Sequence, residues 1–229
     1  MATLHVLRVF TDEAGEWGNP LGVFLDGGEV PEDRRQGVAR ELGFSETVFV
    51  DDPRAGACRI FTPGVELPFA GHPSVGTAWL LAREGHSVEL LRFPAGEIEV
   101  RREGELTFIA ARAEWSPPFE LKEYPDAASV DRLPGPPPGE DMAYCWAWLE
   151  EAAGVVRARS FPVEEGIEED EATGSAAISL CVELGRELTI HQGRGSLLHV
   201  RPLGEGRAEV GGRVVLDEAR EHPVSGDAW

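Results

Sequence analysis

The chain has 229 residues, 42% of them apolar and 27% charged, enough for one sizeable core or two smaller ones. Its formal charge of −20 argues against nucleic acid or an anionic membrane as a partner, because a phosphate surface would be repelled rather than neutralised. Lys122 is the only lysine and lies in a polar, proline-flanked segment, a poor place for the Schiff base that pyridoxal phosphate requires.

From the N-terminus, Leu4 to Phe10 alternates as a first strand, and Gly18-Asn19-Pro20 turns into a second at Leu21 to Leu25. The start has no basic cluster or long apolar core, and no apolar run approaches the length of a membrane span. Cys58, Cys145 and Cys181 are odd in number and far apart, which fits a reduced compartment better than a disulfide framework. A soluble, cytoplasmic protein is the expectation.

Pro31 opens a helix that runs to about Leu42, with Glu32 and Asp33 in the first turn where the helix dipole favours acids, and Gly43 stops it. Strands follow at Val48 to Val50 and Cys58 to Phe61, then a helix from Gly71 to about Arg83. Glu89 to Phe93, Glu97 to Arg101 and Leu106 to Ala111 form hairpins with Gly96 and Gly104 in the turns. Between Glu114 and Glu140 the pattern dissolves into proline and charge, peaking at 133–139, which predicts a linker or a surface excursion. Strands at Ala143 to Leu149 and Val156 to Phe161 lead to a second helix, Gly174 to about Glu187. Three more strands are predicted at Leu197 to Arg201, Ala208 to Val210 and Arg213 to Leu216.

Two stretches repeat one another. Arg59-Ile60-Phe61-Thr62-Pro63 runs through Glu66 into Gly71-His72-Pro73-Ser74-Val75-Gly76, and Arg159-Ser160-Phe161-Pro162 runs through Glu165 and Asp170 into Thr173-Gly174-Ser175-Ala176. Each reads as strand, turn and a helix whose small first residues let its free N–H groups approach a ligand. Two such ends facing one another make an anion clamp.

Other motifs fail on spacing. Gly71-His72-Pro73-Ser74 puts serine three places after glycine, with proline where a hydrolase elbow must turn sharply. Neither Gly193-Arg194-Gly195 nor Gly204-Glu205-Gly206 continues into a dinucleotide-binding pattern, and no Cys or His pair has structural-zinc spacing.

Taken in order, Gly18-Asn19-Pro20-Leu21, Ser45-Glu46-Thr47, Phe61-Thr62-Pro63 through Gly71-His72, and Glu169-Asp170 with Thr173-Gly174-Ser175-Ala176 resemble the signatures of the PhzF family. The resemblance covers nearly the whole chain. It implies an α+β, diaminopimelate epimerase-like fold with two pseudo-symmetric domains, 1–112 and 113–229, each a curved, mostly antiparallel sheet around a central helix. It also implies a homodimer, no cofactor and no metal, and a site in the cleft between the domains. Carried over by residue, the acid/base carboxylate is Glu46, and the substrate-binding groups are His72, Asp170 and Ser175. Gly71, Pro73, Ser74, Thr173 and Gly174 complete the two helix starts.

The implied reaction is isomerisation of a small carboxylate-bearing metabolite by moving a proton between carbons, for which one shielded carboxyl group with a pKa raised toward neutrality suffices. Two-thiol racemases of this architecture place a cysteine before each central helix; Ala70 and Thr173 stand there instead, which excludes that chemistry. The chain is short for the family, and the loss is expected between about Arg112 and Ala143, removing one wall of the cleft. A missing wall keeps open an alternative, a non-catalytic anion-binding protein.

Overall fold

A computed structural model describes residues 1–224, and in it one order of strand pairing occurs twice. In the first half β2 (Asn19–Phe24) lies parallel to β3 (Glu46–Asp52), which is antiparallel to β4 (Ala57–Phe61). β4 is parallel to β6 (Leu90–Phe93), which continues antiparallel through β7 (Gly96–Glu103) to β8 (Leu106–Arg112). In the second half β9 (Glu120–Glu123), β10 (Met142–Glu150), β11 (Val155–Pro162), β12 (Leu188–Gln192), β13 (Ser196–Gly204) and β14 (Arg207–His222) repeat those five pairings in the same sequence and sense. The helices repeat too. α1 (Glu32–Leu42) and α3 (Ala127–Asp131) precede β3 and β10, whereas α2 (Gly71–Arg83) and α4 (Gly174–Leu184) precede β6 and β12, α2 after the two-residue β5 (Glu66–Leu67).

The halves are stitched by β14. Its first six residues pair with β8, and from Arg213 onward it pairs with β1 (Ala2–Thr11), so the described residues form one continuous 14-stranded sheet. The curved sheet wraps α2 and α4, in which ten of 13 and seven of 11 residues are buried. A helix buried almost all round needs apolar or small residues on every face, as both sequences provide. Leu80 and Leu81 of α2 are fully buried, each worth about 2 kcal/mol. Gly76 lets β1 and β2 come close, since a Cβ there would stand 2.5 Å from Leu21 and 2.8 Å from Val9. No helix among the described residues is long and apolar enough to cross a membrane.

Three local expectations need correction. α4 stops at Leu184, short of the predicted Glu187, because Gly185, at φ 63°, closes it in the left-handed region and donates to Cys181 O; three residues further on β12 begins, an unforeseen strand. The strands predicted at Ala208 to Val210 and Arg213 to Leu216 are one, as Gly211 and Gly212 do not turn the chain. Cβ atoms there would meet Phe108 at 2.3 Å and Phe10 at 2.7 Å, so these glycines make room for rings crossing the sheet. Finally, the supposed linker after Arg112 holds β9 and α3, the latter capped by Asp126, whose Oδ1 accepts the Ser129 N–H at 2.7 Å. Four and five residues are too few to show a period in sequence.

Candidate active site

The first turns of α2 and α4 meet head to head. A Cβ on Gly71 would lie 2.7 Å from the carbonyl carbon of Gly174 and 2.8 Å from Ser175 N, and one on Gly174 would lie 3.1 Å from His72 N. Neither helix has a side-chain cap, Ala70 and Thr173 being the residues before them. The free N–H groups of two helices, each end carrying about half a positive charge, therefore gather in one place. Around them lies a narrow cleft whose mouth opens to solvent.

Glu46, the first residue of β3, lines this cleft and is 7% exposed. Its strand neighbours Thr47, Val48 and Phe49 are fully buried, which draws Glu46 inward with them. Burial pushes its carboxyl up to about 7, against a smaller opposite pull from Ser45. His72 Nε2 stands 3.3 Å from Glu46 Oε2, yet neither atom makes a hydrogen bond. Burial holds the imidazole down to about 4, so it is neutral at physiological pH.

Asp170 is brought beside them by its pairing with Ser160, whose carbonyl accepts the Asp170 N–H at 2.9 Å. Asp170 Oδ1 accepts from Asn19 Nδ2 at 2.7 Å and Oδ2 from Thr173 Oγ1 at 2.5 Å. Gln192 braces the group: its Nε2 donates to Thr173 Oγ1 and to Asp170 O, and its Oε1 accepts from Tyr144 and from Thr173 N. Burial first, and the nearby Glu46 second, raise Asp170 to about 7 despite these donors and His72.

The cleft thus joins Glu46, His72, Asp170, Ser175, Gly71, Gly174 and Thr173 of the residues read from sequence. It does not include Pro73 and Ser74 among its lining residues. Pro73 has no N–H to offer, and the Ser74 hydroxyl donates to Ala70 O at 2.7 Å within the helix. On the side where a wall is expected to be missing, Pro117 and Phe119 line the cleft, and Ser116 Oγ donates to Ser175 O at 3.0 Å. The binding-only alternative rested on that absence.

Asn19 and Glu165 belong to the site without having been assigned to it. The two N–H bonds of the Asn19 amide go to Asp170 Oδ1 and Ala172 O, leaving His72 Nδ1 a close neighbour at 3.3 Å. As the only asparagine in the chain, and one placed after glycine, it carried a signal. Glu165 was placed in the second repeated stretch but was given no role there. Cys58, Cys145 and Cys181 are buried elsewhere, and no thiol lines the cleft.

Paired central helices opening on a single cleft define the diaminopimelate epimerase-like fold, and solved structures bear this out. A phenazine biosynthesis PhzC/PhzF protein from Clostridium difficile superposes with a TM-score of 0.79 at 20% identity, covering 97% of this chain and 100% of that one. A hydroxyproline epimerase from Agrobacterium vitis does so at 0.62 and 13% identity, over 96% and 90% of the two chains. The chain belongs to the phenazine biosynthesis-like (PhzC-PhzF) family, whose model matches residues 7–133. It is an isomerase of that family. The trans-2,3-dihydro-3-hydroxyanthranilate isomerase of Pseudomonas fluorescens is 33% identical to it over 84% of this chain and 87% of the relative.

Proposed function

We propose that Glu46 carries a proton from one carbon to another of a small cyclic carboxylate held at the two helix starts. The observation behind this reading is a single one: a buried carboxyl group, raised to about 7, shares the cleft with the uncapped N-termini at Gly71 and Gly174. The Pseudomonas fluorescens relative is named for a ring-bearing carboxylate, which supports the same substrate class here.

The substrate carboxylate accepts N–H bonds from the first turns of α2 and α4. Ionised Glu46 removes a proton from a saturated ring carbon, and the electron pair of the broken C–H bond enters the conjugated system. The helix ends stabilise the charge that spreads toward the carboxylate. Protonated Glu46 then returns the proton to a different carbon, the double bonds shift, and nothing is consumed. A group near pH 7 both takes and gives a proton at neutral pH. Neutral His72 and hydrogen-bonded Asp170 hold the substrate rather than its travelling proton.

Glu46→Gln preserves shape and removes the base. With cyclic and enolisable carboxylates, trans-2,3-dihydro-3-hydroxyanthranilate among them, the parent should exchange substrate C–H for deuterium in heavy water. The variant should lose at least about 10²-fold in that rate while binding within a few fold. Exchange by Glu46→Gln at the parental rate would sink the assignment.

A further inference from the structure

Glu165 ends the short 3-10 turn Val163–Glu165, closed by Gly166 at φ 83°. Glu164 N donates to Asp141 O at 3.0 Å and Ile167 N to Pro162 O at 3.3 Å, which fixes the turn as a lip. Pro162, Glu165 and Ile167 of this lip all line the cleft.

Glu165 is half-buried and has no hydrogen bond or ion pair among the described residues. Of the acids close to it in sequence, Glu169 is engaged by Arg159 at 2.7 Å and Glu171 by Arg194 at 3.2 Å, whereas Glu164 and Glu168 are exposed to solvent outside the cleft. The cleft has three carboxyl groups, Glu46, Asp170 and Glu165, one histidine and no lysine or arginine. Burial, then Glu46 and Glu164, raise Glu165 to about 7, as expected of an acid lacking a cation.

The charges leave a gap. Two helix ends supply about one positive charge in all, which a single substrate carboxylate balances. Nothing on the protein balances the acids that remain. Asp170 has both oxygens engaged by Asn19 and Thr173, and Glu46 faces His72 at the reacting end. Glu165 alone has both oxygens free at the cleft's lip.

We propose that Glu165 is a specificity-determining residue which selects substrates bearing a positively charged nitrogen in addition to their carboxylate. The inference rests on the reading of the helix starts as the carboxylate site. A bound ammonium group supplies the missing counter-charge, keeps Glu165 ionised and orients the ring between the two ends of the cleft.

Affinities of cyclohexanecarboxylate and of 2-, 3- and 4-aminocyclohexanecarboxylate, measured by calorimetry at pH 8, test this directly. At least one amine-bearing probe should bind the parent about tenfold more tightly than cyclohexanecarboxylate. Glu165→Gln should reduce that preference to within twofold and leave cyclohexanecarboxylate bound at least as well. Glu165→Arg should turn the preference toward cyclohexane-1,4-dicarboxylate. Equal binding of all probes by the parent, or a preference that Glu165→Gln leaves intact, overturns this inference while the carboxylate site stands. Failure of every probe to bind overturns both.

Discussion

Gly71 and Gly174 are in van der Waals contact, each occupying the space where the other's side chain would begin. The contact sets how far apart two sets of helix N–H groups lie. Gly71→Ala puts a methyl group 2.7 Å from Gly174 C, so the helices must part. Neither glycine has a positive φ, and the cost is steric alone. The expected loss is about 1–3 kcal/mol in urea unfolding, with cyclohexanecarboxylate affinity falling at least about tenfold. Gly174→Ala, whose nearest contacts would be 3.1 Å, should be the milder of the two.

The acid cluster makes the folded protein less stable as pH rises. Glu46 titrates from about 7 when folded against 4.5 when exposed, and Asp170 from about 7 against 3.8. Between those limits the folded state binds more protons than the unfolded one, so stability present near pH 4.5 is lost as pH approaches 7. His72 acts oppositely: held down to about 4 from 6.5, it costs stability as pH falls through that range. Glu46→Gln removes one of the carboxylates, and at pH 8 it should raise stability by on the order of 2–3 kcal/mol. That gain should vanish near pH 4.5 in urea titrations at several pH values. A variant no more stable than the parent at pH 8 would show that Glu46 titrates normally.

Asn19 is the group that links β2 to the site on the other half. Asn19→Ala removes the 2.7 Å donor to Asp170 Oδ1 and leaves Ala172 O without its partner. The carboxyl group of Asp170 should then titrate higher still, and isomerisation should fall about 10- to 100-fold with KM and kcat both affected. Asn19→Asp should be worse than Asn19→Ala, since it adds a fourth acid to the site, directly against Asp170. If the aspartate variant is the more active, Asn19 does not act through its N–H groups.

Much of this was legible in the residues. Both central helices start where Gly71 and Gly174 predicted, because a run of small residues after a strand and turn has few other uses. Glu46, His72, Asp170, Thr173 and Ser175 do line one cleft; the last four lie in the two repeated stretches, whereas Glu46 was singled out only by the family resemblance. What was lost was short or two-sided. β9 and α3 are too brief for periodicity, and the five residues Leu188–Gln192, just beyond the predicted end of the second helix, were given no element. Glu165 escaped because its place in the second repeated stretch gives its position along the chain and not its facing; the 3-10 turn Val163–Glu165, closed by Gly166, belongs to the fold.

Gly193-Arg194-Gly195, which failed as a nucleotide motif, has a different use at the tip of the β12–β13 hairpin. Glu171 accepts there from Arg194 N at 2.9 Å, Arg194 Nε at 3.2 Å and Ser196 Oγ at 3.0 Å, while Gly18 N donates to Ser196 Oγ at 3.1 Å. The hairpin tip therefore clips the loop bearing Asn19 to the segment bearing Asp170. Trp17, a non-glycine residue at φ 60°, packs against Gly195 with Arg194 over its ring at 5.4 Å. A Cβ on Gly195 would stand 2.3 Å from the Trp17 ring, so Gly195→Ala must push the hairpin off Trp17 and, with it, shift Asn19. The expected cost is about 1–3 kcal/mol in urea unfolding, with slower isomerisation at unchanged pH optimum, since no titrating group is removed. Gly37→Ala provides the contrast. Gly37 sits exposed within α1 with nothing within 4 Å of the added methyl, and the change should stabilise by about 0.5–1 kcal/mol through helix propensity. Should Gly195→Ala unfold at the parental urea concentration while Gly37→Ala gains as expected, the clip has no hold on the site.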